Sequence, residues 1–264
     1  MDARSGYVSI EGGRLYYERA GEGFPVVLIH PGLWDCRIWD AQFKVFAEHH
    51  DVVRYDVRGY GRSDVPTLPY SDVRDLRYLL GKLGIERCAI AGCSMGGQLA
   101  IDFALEHPAV TDAIVLVATG LSGYRWEDPG LDVLLAEVQG AVAKGDLERA
   151  MDIEVAVWAP LDSGPETNAW IRAIAMDNTH IFRVPDTLAE LPPPAVPHLP
   201  ELQAATLVIV GDRDVGEIHA IADVLVERVP GAHKREIHDA DHLVMVRQPD
   251  VFNRVVLDFL SFRT

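Results

Sequence analysis

The run Ala91-Gly92-Cys93-Ser94-Met95-Gly96-Gly97 constrains this chain more than any other stretch. An apolar segment, Cys88-Ala89-Ile90-Ala91, precedes it, and a helix-forming segment, Gln98 to Glu106, follows. A residue carried on a sharp turn between a strand and a helix needs small neighbours, because the backbone packs too closely there for side chains. Gly92, Gly96 and Gly97 meet that need. Such a turn raises the Ser94 hydroxyl above the sheet edge and aims the positive end of the next helix at the same space. Ser94 is therefore a candidate nucleophile. The competing reading is an incidental serine in a glycine-rich turn.

A serine hydroxyl is a weak nucleophile at neutral pH, so it needs a base and a group that orients the base. Downstream, Thr206-Leu207-Val208-Ile209-Val210 reads as a buried parallel strand ending in Gly211-Asp212-Arg213-Asp214. An amphipathic segment (Ile218 to Val229) and a short strand (Lys234 to Ile237) lead to His238-Asp239-Ala240-Asp241-His242, and a last helix ends near Phe259-Leu260. Serine, acid and histidine each sit at the C-terminal end of a strand, where open α/β sheets bind their ligands.

These residues resemble the α/β-hydrolase superfamily, close to its small cap-bearing bacterial esterases, enol-lactonases and cofactor-free haloperoxidases. The resemblance covers nearly the whole chain. Val26 to Gly32 is similar to the family's strand ending in His-Gly, with Pro31 where glycine is commoner. Asp56-Val57-Arg58-Gly59-Tyr60-Gly61-Arg62-Ser63 resembles its D-x-R-G-x-G-x-S loop, and Gly211 to Asp214 its G-[DE]-x-D. Asp241-His242 through Gln248-Pro249 resembles the family's G-H…E-x-P ending, with Asp241 in place of a glycine and Gln248 in place of a glutamate.

The resemblance implies an α/β-hydrolase fold: a mostly parallel eight-stranded sheet with helices on both faces and a helical cap inserted after the sixth strand. It implies catalysis by Ser94, His242 and Asp214, with Asp212 as the rival acid. Relatives that draw the acid from the preceding strand would nominate Glu127 or Asp128. By the fold's logic the oxyanion donors are the backbone amides of Met95 and, matching H-G-x to His30-Pro31-Gly32, of Gly32. His30 is expected to brace the loop beneath that hole, Cys93 to point into the core, and His49 and His50 to end a helix in solvent. His238 and His242 with Asp239 and Asp241 do not lie on one helical face, and no third His or Cys ligand is spaced for a metal. No metal and no cofactor are expected.

The strand and helix alternation of the first 119 residues stops after Ala118. From residue 120 to about 199 the pattern is helical and aromatic, ending in the stiff run Leu191 to Pro197. The expected organisation is a core of residues 1–119 and 200–264 with a cap of 120–199. Trp34, Trp126 and Trp158 are candidate pocket residues, with Trp170 either pocket or cap core.

A length of 264 residues suits one α/β domain with an insertion. The formal charge of −16 disfavours nucleic acid and anionic membrane surfaces. The start Met1 to Gly6 has no apolar core of a signal peptide, no run is long enough to span a bilayer, and three cysteines lack ligand spacing. A cytoplasmic protein acting on a small molecule is expected, with a homodimer left open. The expected reaction is cleavage of a small to medium carboxylic ester or lactone. Alternatives on the same fold are a carbon–carbon bond hydrolase, a perhydrolase, or a small-molecule receptor.

Overall fold

The computed structural model describes residues 3–261; Met1 and Asp2, which belong to the leader reading, lie outside them. Strands β1 (Arg4–Ile10) and β2 (Gly13–Ala20) form an antiparallel hairpin through Glu11-Gly12. Then come β3 (Pro25–Ile29), α1 (Asp40–Phe46), β4 (Asp51–Tyr55), α2 (Asp72–Lys82), β5 (Cys88–Cys93), α3 (Met95–Glu106) and β6 (Thr111–Val117). After the insertion follow β7 (Ala205–Gly211), α7 (Gly216–Arg228), β8 (His233–Ile237), α8 (Val244–Arg247) and α9 (Pro249–Ser261). The insertion itself carries α4 (Pro129–Ala143), α5 (Leu147–Trp158) and α6 (Pro165–Asp177).

The eight strands form one sheet in the order β1-β2-β4-β3-β5-β6-β7-β8, parallel from β4 to β8. Every residue of Val26–Ile29 and Cys88–Cys93 is buried. Strands sealed on both faces by helices cannot alternate polar and apolar residues, which is why these segments read as continuous apolar runs. All the parallel strands end at the same sheet edge, and the loops that follow β3, β5, β7 and β8 meet there. The final helical segment is split at Pro249, which opens α9 and supplies no N–H to continue α8.

Polar side chains tie the insertion to the core. Asn178, fully buried, accepts from Gly61 N at 2.7 Å and donates to Asp35 Oδ2 at 3.0 Å. Burial opposes the charge on Asp35, but hydrogen bonds from Arg37 and Asn178 outweigh it and hold the carboxyl below its ordinary range. His180 Nε2 bonds Gly59 O at 2.8 Å. One expectation changes here: His49 is exposed, but His50 is buried, because it leads into β4 hard against the turn at Gly21.

Candidate active site

Ser94 joins β5 to α3 with φ 52° and ψ −113°, a strained conformation for a residue with a side chain. Its setting explains the glycines. A Cβ on Gly92 would overlap the Gly96 carbonyl, and one on Gly96 would overlap Ile29 O. The chain is thus pinned on both sides of the turn, and the serine takes up the strain. Ser94 O accepts from the amides of Gly97, Gln98 and Gly120, each at 3.0 Å, so the turn is braced by both the helix and the loop after β6.

The Met95 amide is the first of α3 and has no preceding helical turn to donate into. Opposite it lies Gly32, where an added Cβ would sit 4.0 Å from Met95 Cβ and 3.9 Å from Tyr60 Oη. That is ordinary contact, so packing does not demand glycine there. The left-handed residue of this loop is its neighbour Leu33, at φ 70°. His30 braces the loop: its Nε2 accepts from Val57 N at 2.9 Å, which leaves Nδ1 as donor to Pro31 O at 2.8 Å. Burial lowers the His30 pKa, so the ring stays neutral in this role.

His242 Nδ1 donates to Asp214, 3.0 Å from Oδ2 and 3.2 Å from Oδ1, with the side chains only 3% and 1% exposed. Asp214 Oδ1 also accepts from Val215 N at 2.8 Å, which fixes the carboxylate. Asp212 is turned elsewhere, pairing with the exposed His238 at 3.2 Å and accepting from Ala240 N. Glu127 and Asp128 do not reach His242: Asp128 caps α4, and the Glu127 amide donates to Glu217. The histidine loop packs on the elbow through Cys93, whose Sγ lies 3.7 Å from His242 O. Burial, with the nearby charges of Asp214 and Asp241, pushes the Cys93 thiol well above its ordinary pKa. It therefore stays a thiol and offers no thiolate. No hydrogen bond from Ser94 Oγ to the imidazole is formed among the described residues; such bonds commonly tighten only in the substrate complex.

The tryptophans separate into two groups. Trp34, expected in the pocket, is 1% exposed and donates from Nε1 to Ile171 O at 3.0 Å. It seals the seam between core and insertion and presents no open surface. Trp126 and Trp158 do border open space, a cavity of about 340 Å³ between α4 and α5. Their rings meet edge to face, and Trp158 lies 4.6 Å from the His242 ring. A larger hollow of about 400 Å³, lined by Thr206, His233 and Phe259, lies at the opposite ends of β7 and β8.

Two features escaped sequence reasoning. Asp241, the residue in the place of a glycine, forms a buried ion pair with Arg247 at 2.8 Å and accepts from Leu161 N at 3.0 Å. Arg247 in turn donates to Ala159 O and Ser163 Oγ, so the pair fastens the α5–α6 connection to the histidine loop. Asp35, Cys36 and Asp56 bring three ligand atoms within 4.8 Å of one another. Their oxygens are already engaged: Asp56 accepts from the amides of Cys36 and Arg62, and Asp35 from Arg37 and Asn178. No helix among the described residues is long and apolar enough to cross a membrane.

Among curated proteins, the chain is 27% identical to a 2-hydroxy-6-oxo-6-phenylhexa-2,4-dienoate hydrolase of Burkholderia cepacia, over 94% of this chain and 91% of that one. It is 30% identical to a 2-hydroxy-6-oxononadienedioate/2-hydroxy-6-oxononatrienedioate hydrolase of Paraburkholderia xenovorans, again over 94% and 91%. Among solved structures, it is similar to the enol-lactonase of Burkholderia xenovorans at 25% identity and a TM-score of 0.81, covering 97% of this chain and all of that one. An N-acyl homoserine lactone degrading enzyme matches at 27% identity and a TM-score of 0.80, over 96% and 100%. The family model described as the alpha/beta hydrolase family matches residues 26–255. With the sheet order, the elbow and these matches together, the chain is a hydrolase and belongs to the alpha/beta hydrolase family.

Proposed function

We propose that this hydrolase cleaves a compact, mostly neutral carboxylic ester or lactone through an acyl-enzyme on Ser94. The observation that carries the reading is the buried Asp214–His242 hydrogen bond, set against the strained Ser94 elbow at one sheet edge. His242 takes the serine proton as the hydroxyl attacks the carbonyl carbon, then delivers a proton to the leaving alkoxide. Asp214 holds the imidazole tautomer that leaves Nε2 free to accept. The developing oxyanion is met by the amides of Met95 and Gly32. Water, activated by the same imidazole, then hydrolyses the acyl-enzyme, and in a lactone the leaving alcohol stays attached as a hydroxy acid.

The insertion serves as a cap in this reading, with Trp158 over the histidine and Trp126 at the cavity wall. An apolar cover excludes water and strengthens the oxyanion-hole bonds. The curated relatives favour the carbon–carbon bond hydrolase as a second reading, since two of them are named as hydrolases of a 6-oxo dienoate and of 6-oxo dienedioates or trienedioates, in which the 6-oxo group belongs to a ketone and not to an ester. Those names describe carboxylate-bearing substrates, and the cavity beside Trp158 is lined by two acids and by no Lys, Arg or His. That contrast favours the neutral ester or lactone.

A panel of p-nitrophenyl esters, γ- and δ-lactones and vinylogous 1,5-diketones distinguishes the readings. Turnover of esters or lactones with covalent capture of Ser94 by an organophosphonate is expected. Turnover confined to the diketones would establish carbon–carbon cleavage instead, and ligand binding with no turnover of any class would establish a receptor.

A further inference from the structure

Helix α5 places Glu154 one turn before Trp158, and the Trp158 indole Nε1 donates to Glu154 Oε2 at 2.9 Å. The same indole lies over His242. Glu154 is therefore joined to the candidate catalytic centre through one ring. It also faces the cavity, together with Trp126, Leu134, Val138, Ile153 and Trp158. Tyr60 feels its charge. Burial, with the charges of Asp72, Tyr70 and Glu154, raises the pKa of that phenol, whose oxygen is 3.9 Å from the Cβ position of Gly32. Glu154 thus borders the cavity and bonds the ring that covers His242.

No arginine, lysine or histidine pairs with Glu154 among the described residues. Burial raises its pKa, and the Trp158 N–H is the one group that opposes this. Asp132, the other ionisable residue of the cavity wall, is also acidic. An acidic group beside a reaction centre repels an anionic substrate strongly when little water screens it. The same carboxylate offers two oxygens, of which the indole occupies one, so it accepts a hydrogen bond from a neutral donor.

We propose that Glu154 is a specificity-determining residue: it excludes substrates carrying a carboxylate near the scissile bond and selects neutral ones that bring an amide N–H or hydroxyl to its free oxygen. This rests on the ester or lactone reading above and narrows it to a substrate class. Discrimination on the order of a hundredfold is expected for one like charge separated from the imidazole by a single indole ring.

The test compares p-nitrophenyl butyrate with mono-p-nitrophenyl succinate, equal in chain length and different by one carboxylate. The parent enzyme is expected to prefer the butyrate. Glu154→Gln, which keeps an acceptor for Trp158 Nε1, is expected to move the ratio of the two kcat/KM values at least tenfold toward the succinate. Glu154→Met, which removes the charge and both oxygen acceptors, is expected to move it the same way. A ratio that moves less than twofold in both variants overturns the proposal while leaving the ester reading intact.

A binding arm tests the proposal separately if the parent turns over neither ester, an outcome that removes acyclic esters and leaves the lactones of the panel above to decide the reading. Tryptophan fluorescence then follows hexanamide and hexanoate. Parent protein that binds the amide and refuses the carboxylate until Glu154 is replaced supports the proposal. Equal affinity of the parent for the two, or binding of neither, overturns it.

Discussion

The Trp158 indole lies over the His242 imidazole with ring centroids 4.6 Å apart and planes inclined by 44°. This contact couples the insertion to the candidate catalytic centre, since Trp158 ends α5 and His242 follows β8. Removing the ring should do more than enlarge the pocket. In Trp158→Ala the imidazole loses one wall and Glu154 loses its N–H donor. We expect kcat to fall about tenfold on short esters and the preferred acyl chain to lengthen, whereas Trp158→Phe keeps the ring and most of the rate. Steady-state kinetics over a C2 to C10 ester series checks this. An unchanged kcat and chain profile in Trp158→Ala would show that the contact is packing alone.

Ser94→Ala should fold as the parent does and lose catalysis by about a thousandfold or more, because the three groups act as a unit. Alanine at φ 52° is strained like the serine it replaces, so stability should change little. A folded variant hydrolysing at near-parent rates would falsify the assignment of the nucleophile.

The two carboxylates of Gly211-Asp212-Arg213-Asp214 should behave very differently. Asp214 alone bonds His242, and Asp214→Asn would present an amide where the imidazole needs an anion. A loss of kcat on the order of 10³- to 10⁴-fold is expected, against less than about tenfold for Asp212→Asn. The second variant touches only the exposed His238 pairing and the Ala240 amide. Equal or reversed losses in kcat/KM would mean that the acid is misassigned.

The Asp241–Arg247 pair should matter for stability and for holding the insertion. Both side chains are at most 2% exposed, and together they bond Leu161, Ala159 and Ser163. Arg247→Met leaves a buried carboxylate without its partner, at a cost of about 3 kcal/mol or more. The double variant with Asp241→Asn should recover much of that loss, since neither charge is then left alone. Thermal melting of the two proteins decides it, and a double variant no better than the single one would rule out charge burial as the cause.

Much of the fold was legible because buried parallel strands and a close-packed elbow impose their own compositions. Val26–Ile29, Thr206–Val210 and the glycines around Ser94 have few alternatives in any other fold. What escaped notice depends on contacts made at long range. Trp34 reads as a pocket residue by type, yet its position is set by the Ile171 carbonyl, 137 residues away. Arg247 looks like an ordinary surface arginine in a short helix, and only the folded chain brings Leu161 and Ser163 to its pair with Asp241. Glu154 sits in an amphipathic helix where most carboxylates face water, and its inward position follows from how α5 docks, which periodicity alone does not set.

The last prediction concerns Asp72, the first residue of α2. Its enclosed Oδ1 has no hydrogen-bond partner among the described residues. Burial, and then the neighbouring charge of Asp75, push its pKa from 3.8 to about 7, against the pull of Arg58. An acid that ionises less readily in the folded chain than in the unfolded one binds more protons when folded. Its contribution to stability is therefore favourable at low pH, declines as pH rises from about 4 to about 7, and is lost above that. A side-chain amide cannot ionise, so Asp72→Asn should escape the penalty. At pH 8 we expect the variant to be more stable than the parent by about 2 kcal/mol, a rise in Tm of about 4 to 8 °C. At pH 4.5 the gain should vanish or reverse, because the protonated acid is neutral too and the amide offers no advantage. Melting curves of both proteins across that range, normalised to the parent, measure the difference directly. A stability difference that stays constant with pH would show that Asp72 is ionised in the folded chain throughout, with its charge compensated by Arg58 and the start of α2.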